Sequence, residues 1–179
     1  MIPINKFLFA LSAIIYFAIS YSFGQINNDK DNSSNSVKVT ASFPKAIGYV
    51  NDYEMIIDSA TNNILNDLII AHQKKTSDQI AVVTIRNIFP YDDIQKYATD
   101  LSNNWGVGQK NKNNGVTVVI SKNMHKAAIA VGLGLEQTLS DVTCKRIIDT
   151  IMIPSFRQGD YNKGILNGLK EVIRILENN

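Results

Sequence analysis

The sequence predicts an α/β protein in which helices cover both faces of a small mixed β-sheet, giving a three-layer α/β/α sandwich. Residues 80–85 (IAVVTI) and 116–120 (VTVVI) are short, almost wholly apolar and rich in β-branched side chains. Such runs are typical of strands that are covered on both faces. The segments that separate and follow them repeat apolar residues with helical spacing. A short turn leads from the second strand into a third, so an antiparallel pair is expected beside a parallel one.

The first 24 residues have the features of a secretory signal peptide. Lys6 precedes an apolar run, and Ser22 and Gly24 stand at the spacing that a signal peptidase recognises. A membrane anchor is the alternative, but residues 8–23 are short for a bilayer span and contain three serines. We therefore predict export to the periplasm or secretion, followed by cleavage before Gln25, and no membrane span in the mature chain.

Residues 25–46 are predicted to be a polar linker, because the run INNDKDNSSNS has no apolar period and cannot bury enough surface to order itself. The folded domain is expected over residues 47–179. Its first helix is predicted over residues 53–72, where apolar side chains recur at helical spacing. Asn51 and Glu54 resemble a capping box at its start. Asp52 is expected to cap this helix or to lie at its first position.

The remaining elements follow in the order strand, helix, strand, strand, helix, helix. An apolar stripe that ends at Trp105 predicts the helix between the first two strands. The third strand is predicted over residues 126–135, although Gly132 and Gly134 loosen it. Ser140 is expected to begin a helix that runs to Ile153, where Pro154 interrupts or ends it. Asp160 is expected to cap the last helix.

Composition excludes several classes of function. The formal net charge is only +2, which is too weak to argue for binding to nucleic acid or to an anionic membrane. Cys144 is the single cysteine, so no intrachain disulfide can form, and its apolar helical surroundings indicate a buried filler. His72 and His125 have no further ligands in a recognisable zinc spacing. A soluble, monomeric mature chain is expected.

The loop WGVGQKNKNNGV (105–116) is unusually long and polar for a segment beside a buried strand, and such loops are usually functional or disordered. If Ser121 pairs with Lys126, Gly115 faces Gly132, and the loop lies beside the segment that leads to Glu136. This register gathers Asn113, Asn114, Glu136 and Asp141 at one end of the sheet. Asp52 is expected near the opposite end.

Two interpretations of this polar end remain open. Carboxylate, amide and main-chain oxygens without thiols or imidazoles are the ligands that calcium prefers, and magnesium is the second choice. Alternatively, Asn113-Asn114-Gly115 is a turn, Asp141 suits the helix dipole and Glu136 is solvated. Elsewhere, Arg157 is expected either to bind an anion or to tie two helices together.

Taken together, these segments resemble the TPM domain family, whose members are exported or thylakoid-lumen proteins, including a secreted single-domain member from a marine flavobacterium. The matching segments are GYVNDY (48–53), QIAVVTI (79–85), the run W-G-V-G-Q-K-x-K-x-N-G (105–115), VGLGLE (131–136) and IPSFRQGDY (153–161). The resemblance implies an α/β/α sandwich that binds a divalent cation, chiefly calcium. Carried over by motif, Asn114 and Glu136 are the best-matched ligands, followed by Asp141 and Asp52.

The chain departs from the family pattern beside this predicted site. Family members often carry an acidic residue where Asn113 stands, and often an Arg, a Glu and a Tyr where this chain has Ala128, Ala130 and Leu133. The loss of an acid at Asn113 should weaken calcium binding, because ligand charge tunes affinity. Plant relatives have been assigned an acid phosphatase activity, but an Arg lost at position 128 removes a natural phosphate partner.

We therefore expect a non-enzymatic module that binds calcium or magnesium. The first alternative is a metal-assisted phosphatase acting on phosphomonoesters, with Lys110 or Lys112 holding the anion. The second is an envelope-maintenance factor whose loop contacts an unidentified protein partner without any ligand.

Overall fold

The computed structural model describes residues 42–178. The predicted signal peptide (1–24) and residues 25–41 of the predicted linker lie outside the described residues. Within residues 42–178, no helix is both long and apolar enough to cross a membrane. The strands are β1 (Val50–Asp52), β2 (Gln79–Thr84), β3 (Gly115–Ser121) and β4 (Lys126–Val131). The helices are α1 (Ser59–Thr76), α2 (Ile94–Trp105), α3 (Asp141–Ile147), a π-helical segment (Ile148–Met152), α4 (Ile153–Arg157) and α5 (Tyr161–Glu177).

The four described strands form one mixed sheet in the order β1-β2-β3-β4. β1, β2 and β3 run parallel, whereas β4 is antiparallel to β3. The predicted hairpin register is confirmed, since Ser121 pairs with Lys126 and Val116 pairs with Val131. Because three strands are parallel, the sheet has one end at which they begin and one at which they finish. We call these ends the amino edge and the carboxyl edge.

Helices cover both faces of the sheet, so the predicted three-layer α/β/α architecture is confirmed. On one face, α1 and the C-terminal helices pack against alternate strand residues such as Val82, Val118 and Ile129. On the other face, α2 packs through Tyr97 and Leu101 against the strand residues that alternate with those just named. Covering both faces is what requires the near-continuous apolar strands that the sequence displays.

The start of the domain differs from the prediction. Residues 50–52 form a strand, and helix α1 begins only at Ser59. Its N-cap is Asp58, whose side chain accepts a hydrogen bond from the Thr61 N–H. The expected cap at Asn51 and Glu54 is therefore wrong, because pairing with β2 draws this segment into the sheet. Asp52 is the last residue of β1 and does not cap the helix.

The C-terminal helices show one of the two outcomes expected at Pro154, since a π-helical segment interrupts the α-helix there. Pro154 does not end the helix, which continues through α4 to Arg157. The π-helical segment just before it makes this possible, since the Ile153 N–H reaches the Ile148 carbonyl five residues back. This wider turn shifts the hydrogen-bonding pattern immediately before a residue that has no N–H to donate. The predicted caps at Ser140 and Asp160 are confirmed.

Two further boundaries are set by packing. β4 ends at Val131 rather than at residue 135, and a series of turns leads from there to α3. Residues 42–46, placed in the linker by composition, lie against the face covered by α2. The Trp105 indole N–H donates to the Pro44 carbonyl at 2.8 Å, and the Phe43 ring lies 5.5 Å from the Tyr97 ring.

Candidate functional site

The polar loop at the amino edge has an ordered internal structure. The N–H groups of Lys112 and Asn113 both donate to the Gln109 carbonyl, at 2.9 and 2.8 Å. The Gly108 N–H donates to the Gln79 side-chain oxygen at 2.8 Å, which joins the loop to the start of β2. Hydrogen bonds within the loop and to β2 therefore pair main-chain polar groups that would otherwise be unpaired beside a buried strand.

Asn114 is the central tie of this loop. Its side-chain oxygen accepts the Gln109 N–H at 2.8 Å. Its side-chain nitrogen donates to the Ser77 carbonyl at 3.0 Å and to Asp78 Oδ1 at 2.9 Å. The residue is only 3% exposed. Asn114 thus joins the loop to the connection between α1 and β2, and its amide oxygen is already engaged.

Asp78 extends this tie into a polar chain, buried at Asp78 and His72, that the sequence pattern did not reveal. Asp78 Oδ2 lies 3.5 Å from His72 Nε2, and His72 Nδ1 lies 3.2 Å from Glu177 Oε1. Lys75 Nζ donates to the other Glu177 oxygen at 2.7 Å. Hydrogen bonds from Lys75 and His72 lower the pKa of the Glu177 carboxyl. The chain therefore couples the end of α5 to the loop.

Glycines allow the loop backbone to lie directly on the segment that follows β4. The Gly132 N–H donates to the Gly115 carbonyl at 2.8 Å, and the Gly134 N–H donates to the Asn113 carbonyl at 3.0 Å. A methyl group on Gly134 would lie 2.0 Å from the Lys112 carbonyl oxygen, so no other residue fits without a backbone shift. The predicted pairing of the two segments is thus observed, and it places two main-chain carbonyls at the amino edge.

The four predicted ligands occupy different positions. Asn114 is buried in the loop, Glu136 is exposed on the turn after β4, and Asp141 is exposed at the first position of α3. Within the described residues, neither Glu136 nor Asp141 makes a side-chain hydrogen bond or ion pair. Asp52 lies at the carboxyl edge, as the parallel pairing of β1 with β2 requires. In residues 42–178, no three His, Cys, Asp or Glu side chains are grouped so that they could hold a metal ion.

Asp52 has a structural role at the carboxyl edge. Its carboxylate accepts the N–H groups of Ile56 and Ile57 at 3.1 and 2.8 Å, together with the Thr84 hydroxyl. Nearby, the Glu54 carboxylate accepts the N–H groups of Lys122 and Asn123 at 2.8 and 3.1 Å. These acids close the turn after β1 and hold the turn between β3 and β4.

The chain's single thiol does not suit nucleophilic chemistry. Cys144 is buried in α3, and burial, reinforced by the nearby Asp141 carboxylate, raises the pKa of its thiol to about 12. At neutral pH the thiol is therefore protonated and shielded, and nucleophilic attack needs the thiolate. This agrees with the packing role expected from the sequence.

Comparison with known proteins identifies the family. The model of the TPM domain family matches residues 50–175, from β1 to the last turn of α5. No protein with a curated description matches the chain.

Several solved structures share the fold. The N-terminal domain of a Porphyromonas gingivalis protein, solved by NMR, is 30% identical with a TM-score of 0.67, and the match covers 73% of this chain and 82% of that one. The BA42 protein of the psychrophilic bacterium Bizionia argentinensis is 20% identical with a TM-score of 0.58, covering 69% and 83%. An N-terminal domain from Corynebacterium glutamicum is 17% identical with a TM-score of 0.56, covering 76% and 85%.

The family model spans nearly all of the described domain, and it includes the loop, the glycines after β4 and the helical segment around Pro154. On this match the chain belongs to the TPM domain family.

Proposed function

We propose that this TPM domain is an exported, non-enzymatic module that binds a divalent cation at the amino edge, with calcium as the preferred ion and magnesium as the second. The main support is the backbone pairing of Asn113 and Gly115 with Gly134 and Gly132. This pairing holds the polar loop next to the segment that carries Glu136, whose carboxylate is the kind of oxygen ligand that suits a hard cation.

The structure changes which residues we assign to the cation. Glu136 and Asp141 are the proposed carboxylate ligands, and main-chain carbonyls and water supply further oxygens. Asn114 positions the loop, because its amide oxygen already accepts the Gln109 N–H. Asp52 is excluded from this site by its place at the carboxyl edge. Two carboxylates are few for calcium, so we expect a dissociation constant of about 10⁻⁴–10⁻³ M, the range of extracellular calcium modules.

Isothermal titration of the purified chain with calcium tests this proposal. We expect binding in the range given above and an increase in melting temperature through mass action. Glu136→Gln should weaken calcium binding by about tenfold or more, because it removes one of two ligand charges. Asn113→Asp should strengthen binding, since it adds a charge to the loop. Asp67→Asn, an exposed acid on α1, is the matched control and should leave binding unchanged.

Calcium binding that persists in full after Glu136→Gln, or no binding up to about 10 mM, would contradict the proposal. Repeating the titration with magnesium ranks the two ions. Magnesium demands a nearly ideal octahedral shell and gives up its water reluctantly, so weaker binding is expected.

Export fits this affinity, since a site of this strength suits a compartment with abundant calcium. The ordered loop would then present a fixed surface to an envelope protein partner. For the phosphatase alternative, Lys112 Nζ donates to Ser77 Oγ at 2.7 Å, whereas no side-chain hydrogen bond or ion pair holds Lys110 among the described residues. The contact with Ser77 ties Lys112 to the protein instead of leaving it to hold a substrate.

A further inference from the structure

A cavity of about 340 Å³ opens at the carboxyl edge, the end of the sheet opposite the proposed cation site. It lies between the start of β4 and the helical segment where α4 meets α5. Its volume is within the range of small-molecule pockets in proteins. The function proposed above makes no use of it.

The polar part of this cavity is basic. His125, Lys126 and Arg157 line it, and no acidic residue does. Within residues 42–178, the Arg157 side chain makes no hydrogen bond or ion pair, whereas Lys126 Nζ donates to the Asp92 carbonyl at 3.3 Å. Arg157 is therefore the cation that is fully available to a ligand. The expectation that it ties two helices together is not supported by any side-chain hydrogen bond or ion pair among these residues.

The other part of the cavity is apolar and partly aromatic. The Phe156 ring stacks on the Tyr161 ring, with centroids 4.7 Å apart and an interplanar angle of 15°. Ile153 extends this wall. Burial, aided by the Glu54 carboxylate, raises the pKa of the Tyr161 hydroxyl, so it remains a donor at neutral pH. A flat apolar wall beside a guanidinium suits a ligand with an aromatic body and an anionic head.

The charges around the cavity select the type of anion. An adjoining groove shares His125 and Lys126 with the cavity, and it is lined by Asp92, Asp93 and Asp149. These acids disfavour a ligand with two negative charges. A single planar guanidinium can pair with two oxygens of a carboxylate or of a phosphate, so it is the nearby acids that favour the singly charged carboxylate.

We propose that this cavity binds the carboxylate of a small organic acid with an apolar, preferably aromatic, body. The carboxylate pairs with Arg157, and the apolar body lies against Phe156 and Ile153. The site is independent of the cation proposed at the amino edge.

Titration of the purified chain in calcium-free buffer tests this inference with three matched probes: 3-phenylpropionate, its uncharged amide and phenyl phosphate. We expect the carboxylate to bind at least about tenfold more tightly than the amide and more tightly than the phosphate ester. Arg157→Gln should weaken binding of the carboxylate by about tenfold or more, as expected for loss of a charge-assisted pair. Arg86→Gln, which removes an exposed arginine at the same edge outside the cavity, should not.

Equal affinity for the carboxylate and the amide would overturn the proposal, as would tighter binding of phenyl phosphate, full affinity in Arg157→Gln, or no binding at about 10 mM. Because Arg157 is exposed and its side chain makes no hydrogen bond or ion pair among the described residues, its replacement should not unfold the chain. The calcium titration of Arg157→Gln should match that of the unmodified chain, so the two proposals can fail separately.

Discussion

Gly115→Ala is expected to lower the free energy of unfolding by about 3 kcal/mol and the melting temperature by roughly 10 °C. Gly115 is buried at the start of β3, and a Cβ there would lie 2.1 Å from the Val107 carbonyl oxygen and 2.6 Å from its carbon. Both atoms belong to the backbone, so a side-chain rotation cannot relieve the clash. The loop would have to move away from the sheet. Thermal and urea denaturation measure the effect.

Gly48→Ala is the matched control for this substitution. A Cβ at Gly48 would meet nothing within 4 Å, and the residue is exposed. We expect a change within about 0.5 kcal/mol, as for ordinary surface substitutions. If Gly115→Ala melted within a degree or two of the unmodified chain, the close packing of the loop against β3 would be wrong.

Asn114→Asp is expected to destabilise the domain by about 3 kcal/mol at neutral pH. The replacement is isosteric and still accepts the Gln109 N–H. It removes the donors to the Ser77 carbonyl and to Asp78 Oδ1, and it places two carboxylates in contact where the amide nitrogen now lies 2.9 Å from Asp78. Two buried carboxylates at this distance cannot both ionise without large cost.

The pH dependence distinguishes this mechanism from a general packing defect. The paired carboxylates of the variant should hold a proton more tightly in the folded than in the unfolded state. A group whose folded pKa is raised stabilises the fold at low pH and loses that contribution as pH rises. The stability difference between the variant and the parent chain should therefore shrink as pH falls towards about 5.

The same substitution one residue earlier provides the control. Asn113 is exposed and has a φ of 50°, a conformation that aspartate also tolerates. Measured without calcium, Asn113→Asp should change stability by less than about 0.5 kcal/mol. Equal destabilisation by Asn113→Asp and Asn114→Asp, or no dependence on pH, would argue against the role given to Asn114.

Much of the fold could be predicted because its strongest signals are local. The strands carry apolar side chains on both faces, so both faces must be covered. The short turn at residues 122–125 fixes the register of β3 against β4. Strand β1 was missed because three residues, two of them polar, carry no period. Its identity as a strand depends on pairing with β2, which lies about thirty residues later in the chain.

The amino edge could be predicted only in part. The hairpin register correctly placed the loop beside the glycines after β4. The sequence did not reveal that the Asn114 amide donates a hydrogen bond to Asp78, because the two residues are 36 positions apart and no spacing motif joins them. The contact of His72 with Glu177, which lies 105 residues later, was likewise not foreseen. Long-range polar contacts of this kind arise from tertiary packing.

Amide chemical-shift mapping of the purified chain during a calcium titration tests the central claim most directly, since it identifies the edge of the sheet that meets the ion. We expect saturable shifts in residues 112–115, 132–136 and 141, with a midpoint of about 10⁻⁴–10⁻³ M. The amides of Asp52, Glu54 and Thr84 at the carboxyl edge should not move. Shifts centred on the carboxyl edge, or an unchanged amino edge at about 10 mM calcium, would contradict the account.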